Sequence, residues 1–170
     1  RSASLAVRHG GAAAVRRAVG WYRRSGRLNA GDEVTMADDA LAAWRADLDA
    51  GRDALLIADR WEVADPLNER IHRDRIDPDA PTVAAARQHR IAAGDLIVTR
   101  DSDPTIAIRP ARAGQPDPAP VRNGNRWEVL DEVDPDNNRL AARRIGDDAI
   151  AVFSGEYLRK HVHLGYVLTV

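Results

Sequence analysis

At Gly94 the residue pattern changes from a helical period to a two-residue period, and from there turn residues interrupt it at short intervals. Leu96, Val98 and Arg100 alternate with Asp95, Ile97 and Thr99, and Thr105 to Arg109 repeats the alternation as TIAIR. Both stretches read as strands, because successive side chains of a strand point to opposite faces. Asn123-Gly124 marks a tight turn, since both residues tolerate positive φ, and a third strand starts with Trp127, Val129 and the run to Val133. Asp134-Pro135-Asp136-Asn137-Asn138 cannot prolong it, because proline lacks a donor and Asx side chains cap their own turns, so Arg139 to Ile145 is expected to return antiparallel. Gly146-Asp147-Asp148 then turns into Ala149 to Phe153. Five short strands within about 60 residues suit a small closed barrel better than an open sheet with bare edges.

The half before Gly94 has a different rhythm. Ser2 to His9 and Ala12 to Arg24 read as helices, the second with Ala14, Val15, Ala18, Val19 and Tyr22 on one side and Arg16, Arg17, Arg23 and Arg24 largely on the other. Gly26 ends it, and Arg27-Leu28-Asn29 is a short strand candidate. Thr35 can cap a helix to about Ala50, with Leu41, Trp44 and Leu48 at helical spacing. Asp53 to Ala58 is a compact apolar run of the kind a buried parallel strand shows, and Asp59 can cap a helix from Trp61 to about Ile76. Asp77-Pro78-Asp79-Ala80-Pro81 breaks the chain, and Val83 to Ile91 reads as a short amphipathic segment. Helices alternating with strands is α/β order.

With one Phe and one Met, the core must come from Leu, Ile, Val and the four Trp residues. No window approaches a membrane span and no signal-peptide pattern opens the chain, so the expectation is a soluble, cytoplasmic protein. Zero cysteines exclude disulfides and thiolate metal sites. The net charge of −1 hides an asymmetry: residues 1 to 30 contain seven Arg and no Asp or Glu, whereas residues 31 to 60 contain eight acidic and three basic residues. The first segment is either a basic face that meets phosphate or a set of arginines paired with the acidic segment that follows.

The order GDLIVTR, then VRNGNRWEV, then HLGYVLTV resembles the RecD-like superfamily 1 DNA helicases, especially the helicase half of MobF-type conjugative relaxases. RHGGAAAVRRAVGWYRRSGRLNAG and LLIADRWEVADPLNERIHRDR resemble the segments of the second motor domain that precede the barrel, so the resemblance covers nearly the whole chain. It implies an α/β fold: a partial RecA-like parallel α/β layer with an inserted small antiparallel SH3-like β-barrel. The implied division is residues 1–92 as part of the second motor domain, 93–162 as the barrel and 163–170 as the return strand that begins helicase motif V. Thr99 to Arg122, with Pro110, Pro116, Pro118 and Pro120, makes a longer loop than the family's usual hairpin.

The chemistry implied for the parent protein is ATP-dependent unwinding with ATP and Mg, and tracking of single-stranded DNA together with the remaining motor domain. This chain carries no cofactor site of its own. A phosphate-cradling loop needs a Lys and a Ser or Thr in a Gly-rich turn, and the chain's one lysine, Lys160, follows Leu158-Arg159. It is therefore expected to be inactive alone, with no catalytic residue and no metal site. Thr169 is, by resemblance, the motif V hydroxyl near the DNA backbone, and Arg60 stands at a strand-to-helix turn. Arg100, Arg122, Asn125 and Arg126 flank turns on the barrel side and can reach phosphate. Trp127 can stack on a base, but its alternation with Val129 favours the barrel core. His161 and His163 are expected to share one strand face. A different class of reading is an interaction module, in which the barrel and its Pro-rich loop bind a protein.

Overall fold

A computed structural model describes residues 2–169 and divides the chain into two compact units, residues 1–52 and 53–170. The first unit is helical: α1 (Ser2–His9), α2 (Ala12–Arg24) and α3 (Glu33–Asp49). The start of α3 comes three residues earlier than Thr35 suggests. Asp32 is the N-cap, its carboxylate accepting from Thr35 N at 3.0 Å and from Thr35 Oγ1 at 2.7 Å. An Asp in that place satisfies an orphan helix donor, and these bonds hold its pKa below the usual carboxylate range. Arg27-Leu28-Asn29 forms no strand; all three residues are exposed and no other segment pairs with them.

The second unit contains β1 (Leu56–Ala58), α4 (Trp61–Arg75), β2 (Val83–Ala84), β3 (Arg90–Ile91), β4 (Leu96–Thr99), β5 (Ile108–Arg109), β6 (Arg126–Asp134), β7 (Arg139–Arg144), β8 (Ile150–Ser154), α5 (Gly155–His161), β9 (Val162–Leu164) and β10 (Val167–Thr169). The N-cap of α4 is Arg60, without a side-chain cap. Asp59 lies one residue too early for that role and instead faces Arg60 Nε at 3.7 Å. Six strands form one antiparallel sheet in the order β5-β8-β7-β6-β4-β9. Its inner face is built from residues in register, Ile97 with Trp127 and Leu164, Val129 with Ala142 and Ala151, Leu140 with Phe153, all of them buried. Trp127 stands edge-on to Phe153 at 5.1 Å and carries the Arg144 guanidinium 5.4 Å above its ring. It is a core residue, not a base-stacking one.

Three expected elements differ in detail. Only Ile108–Arg109 of the TIAIR stretch is strand, because Asp103 Oδ1 draws in Thr105 N at 2.8 Å and Thr105 Oγ1 at 2.6 Å as a local turn. Val83 to Ile91, expected only as a short amphipathic segment, is a small antiparallel hairpin, β2 with β3, around a short helical turn in which Arg87 and Gln88 take φ of 55° and 63°. His161 ends α5 while His163 lies in β9, so the two histidines do not share a strand. The pairing of Glu156 with Lys160 four residues later was the local sign of α5.

The strands β1 and β10 run parallel, Leu56 with Val167, Ile57 with Leu168 and Ala58 with Thr169. This is the one parallel pair among the described residues; they contain no larger parallel layer. Val170, the last residue of the expected return strand, lies outside the described residues. The pair is fastened to α4 by Asn68, fully buried, whose Oδ1 accepts from Val167 N at 2.8 Å while its Nδ2 donates to Val167 O at 3.0 Å. An amide side chain here completes a strand's backbone pairing in place of another strand. No helix of the described residues is long and apolar enough to cross a membrane.

Candidate functional site

Trp61, the first residue of α4, is the meeting point of side chains from three other segments. The His163 ring, carried by β9, stacks on the indole at 5.2 Å with the planes 26° apart. The guanidinium groups of Arg87 and Arg100 each lie 4.8 Å from the indole centroid. Arg87 reaches it from the left-handed turn of the β2–β3 hairpin, and its Nε donates to Asp65 Oδ2 at 2.6 Å. For a non-glycine residue that backbone region costs about 1 kcal/mol or more, so strain is held where the guanidinium is placed. Arg100 follows β4, and its Nη2 donates to both Oγ1 and the carbonyl oxygen of Thr169 at the end of β10.

The polar atoms of this cluster are incompletely matched. Among the described residues, five buried side-chain atoms lack a hydrogen-bond partner: Asp65 Oδ1, His89 Nε2, Arg100 Nε, Arg126 Nε and His163 Nδ1. Asp65, Arg100 and His163 belong to the Trp61 cluster, and His89 meets His163 edge-on at 6.2 Å. Arg126 joins them through register: Val98 is opposite Arg126 on one side and His163 on the other, so the three side chains share the outer face of the sheet. Buried polar groups are ordinarily satisfied, and a concentration of exceptions marks a place built for another group or for water.

Charge strengthens that reading. Among the described residues, neither Arg100 nor Arg126 forms an ion pair with a carboxylate, and burial alone pushes the Arg100 guanidinium below its ordinary pKa. A half-buried cation without a counterion is ready for an anion. The two imidazoles stay out of the balance. His163 is pushed down to about 4, first by burial and then by His89, Arg100 and Arg87. His89 is also lowered, chiefly by burial. Its Nδ1 accepts from Leu164 N at 3.2 Å, which assigns the ring proton to Nε2, 3.6 Å from Asp65 Oδ1. The neutral rings therefore act as spacers, and the site's positive character rests on arginine.

The sequence-chosen residues distribute as follows. Arg100 and Thr169 are brought into direct contact, and Arg60 adjoins Trp61 at the N-terminus of α4. Arg126 is on the same sheet face as His163. Arg122 and Asn125 instead close one turn: Asn125 Oδ1 accepts from Arg122 N at 2.9 Å, and the Arg122 carbonyl accepts from Thr99 Oγ1 at 2.7 Å. The Asn125 side chain is thereby committed to its own turn, whereas that of Arg122 is exposed. Sequence reasoning missed Trp61, Arg87 and Asp65. The adjacency of Arg60 and Trp61, the same pairing that drew attention to Arg126 and Trp127, was the only local sign.

Chemically, the cluster offers two guanidinium groups, a hydroxyl and the N-terminal end of a helix, which together suit a phosphate or other oxyanion. The indole is already occupied by His163 and the arginines, so it orients them and is not a platform for a base.

Two uncharacterized proteins of Mycobacterium tuberculosis, Rv2311 from strain H37Rv and MT2373 from strain CDC 1551, are each 45% identical to this chain over 74 residues, which is 44% of this chain and 42% of each relative. The chain thus spans less than half the length of the curated relatives it matches. Residues 83–163, from the β2–β3 hairpin that carries Arg87 to the histidine stacked on Trp61, match the Rv2311 SH3-like barrel domain family, and the antiparallel sheet is an SH3-like barrel.

Proposed function

We propose that this chain is part of the second RecA-like motor domain of an ATP-dependent DNA helicase of the RecD-like, conjugative-relaxase type, working in the cytoplasm. Its part would be to hold the single-stranded DNA backbone during tracking, with ATP and Mg bound elsewhere in the parent protein. The observation that carries the reading is topological: the barrel is inserted in sequence between two strands that pair in parallel, and the second of them ends at Thr169 against Arg100. A parallel pair needs a crossover, and here the crossover includes α4 and an entire barrel. The insertion matches the arrangement that the resemblance implies, and the half-buried Arg100 and the Thr169 hydroxyl lie at its junction.

The test is titration of a labelled oligothymidylate at low salt. If about three or four arginines meet phosphates, log affinity should fall with log salt with a slope of roughly −2 to −3. The Arg100→Ala and Arg126→Ala variants should each flatten that slope by about 0.7. Binding whose slope ignores both substitutions, or no binding, would contradict the proposal.

One observation favours the interaction-module reading instead. The Pro-rich loop is fixed on the barrel by Arg144, whose Nη1 donates to Ala119 O at 2.9 Å, and Pro110, Pro116 and Pro118 border a depression of about 310 Å³ with Asp147 and Ala149. A protein partner that protects this loop, combined with absent DNA binding, would put that reading first.

A further inference from the structure

The exposed Trp21 of α2 is the observation that the Trp61 cluster leaves unused. Trp21 is 44% exposed, so a large part of its indole is left open to solvent. On a helix, residues three and four apart are surface neighbours, so Trp21 is flanked by Arg17 one turn before it and Arg24 one turn after it. Arg27, just past the helix, sets its guanidinium 5.7 Å from the indole centroid. Val19 falls on the other edge of α2, and Ala18 is on the buried side. The indole meets the Tyr22 ring edge-on at 5.1 Å on one side, and its remaining neighbours along this stripe are the cations Arg17, Arg24 and Arg27.

The counterions that would make this an ordinary solvated face are missing from it. Residues 1 to 31 contain no Asp or Glu. Among the described residues, no carboxylate pairs with Arg17, Arg23, Arg24 or Arg27, although the acidic residues of α3 follow closely in sequence. The alternative that the sequence left open, arginines neutralised by the next segment, is thus not what the fold builds.

We infer that the Arg17–Trp21–Arg24–Arg27 stripe of α2 is a binding surface for single-stranded DNA, separate from the Trp61 cluster. The two components have distinct roles. The arginines track phosphates, and the indole stacks on an unpaired base, a contact open to any base and worth roughly a tenfold change in affinity for one ring. Duplex DNA keeps its bases stacked and offers only the first component. A flat apolar partner would find charges where it needs contact, so charge complementarity selects a polyanion.

The experiment uses the 170-residue chain and a short labelled oligothymidylate, with the matching duplex and vesicles containing phosphatidylserine as comparison probes. Trp21→Ala should weaken oligothymidylate binding roughly tenfold and Trp21→Phe should restore most of the loss. The double variant Arg17→Gln, Arg24→Gln should flatten the salt slope by about 1.4. These residues are exposed, so melting temperatures should stay unchanged, and a variant that melts early is replaced by Trp21→Gln. Unchanged affinity for both Trp21→Ala and the double variant would overturn the inference, as would equal binding of the duplex, or vesicle binding that Trp21→Ala abolishes while oligothymidylate binding persists. Arg100→Ala separates the two surfaces: if it weakens binding and the α2 variants do not, this inference fails alone, and the reverse result removes the Trp61 cluster alone.

Discussion

Replacing Asp95 with Ala is expected to destabilise the second unit by about 3–5 kcal/mol, read as a drop in the urea-unfolding free energy. Asp95 is fully buried at the start of the barrel, and its carboxylate gathers three segments. His72 Nδ1 of α4 lies 2.8 Å from Oδ2, Tyr166 OH donates to Oδ1 at 2.7 Å, and Ala92 N donates to Oδ2 at 2.8 Å. Removing the carboxylate strands a buried phenol, a buried backbone donor and a half-buried imidazole at once, and unsatisfied buried groups cost more than made bonds contribute. Tyr166 is itself committed: burial and then Asp95 raise its pKa, and Arg75 sits 5.6 Å from its ring. Asp95→Asn keeps the shape and an acceptor and should lose about 1–2 kcal/mol. Equal stability of Asp95→Ala and the parent would show that this hub does not fasten β10 to the barrel.

The second large effect is expected at Gly165, between β9 and β10. A Cβ there would lie 2.7 Å from the Ile97 carbonyl carbon, 2.9 Å from Val98 N and 3.0 Å from Ile97 O. All three are backbone atoms in the middle of β4, so no side-chain rotation relieves the clash. The close approach is fixed by Gly165 N donating to Leu96 O at 2.8 Å. Gly165→Ala should therefore cost about 2–3 kcal/mol through forced backbone displacement. Thermal unfolding followed by far-ultraviolet circular dichroism checks it, and a melting temperature equal to the parent's would mean that the two strands are less tightly held than their geometry indicates.

Both positions illustrate what the residue pattern could and could not disclose. The barrel strands were legible because alternation is a local signal: Ile97, Trp127, Leu140 and Phe153 announce their inward face within a few residues of themselves. The parallel pairing of Leu56–Ala58 with Val167–Thr169 was also anticipated, from a compact apolar run at one end and the return motif at the other. The hairpin at Arg87 was not, since two-residue strands leave no period to detect and two consecutive non-glycine residues at positive φ carry no composition cue. Asp95 was legible only as one member of an alternating strand, because alternation cannot reveal that a histidine 23 positions earlier and a tyrosine 71 positions later converge on it. The same limit hid the site. Trp61, Arg87, Arg100, His163 and Thr169 meet only after α4, the hairpin and the barrel have docked, so single candidates such as Arg100 and Thr169 could be chosen without the tryptophan that joins them.

The most direct test of the Trp61 cluster as a backbone-reading site is nitrogen-15 correlated NMR of the 18.6 kDa chain during titration with oligothymidylate. The indole N–H resonance of Trp61 and the Nε–H resonances of Arg87 and Arg100, assigned by substitution, are expected to move together with a common saturation curve. The N–H resonance of Trp127, sealed in the barrel core, should stay in place. Movement confined to the Pro-rich loop, or a titration that leaves Trp61, Arg87 and Arg100 unmoved at saturation, would contradict the assignment.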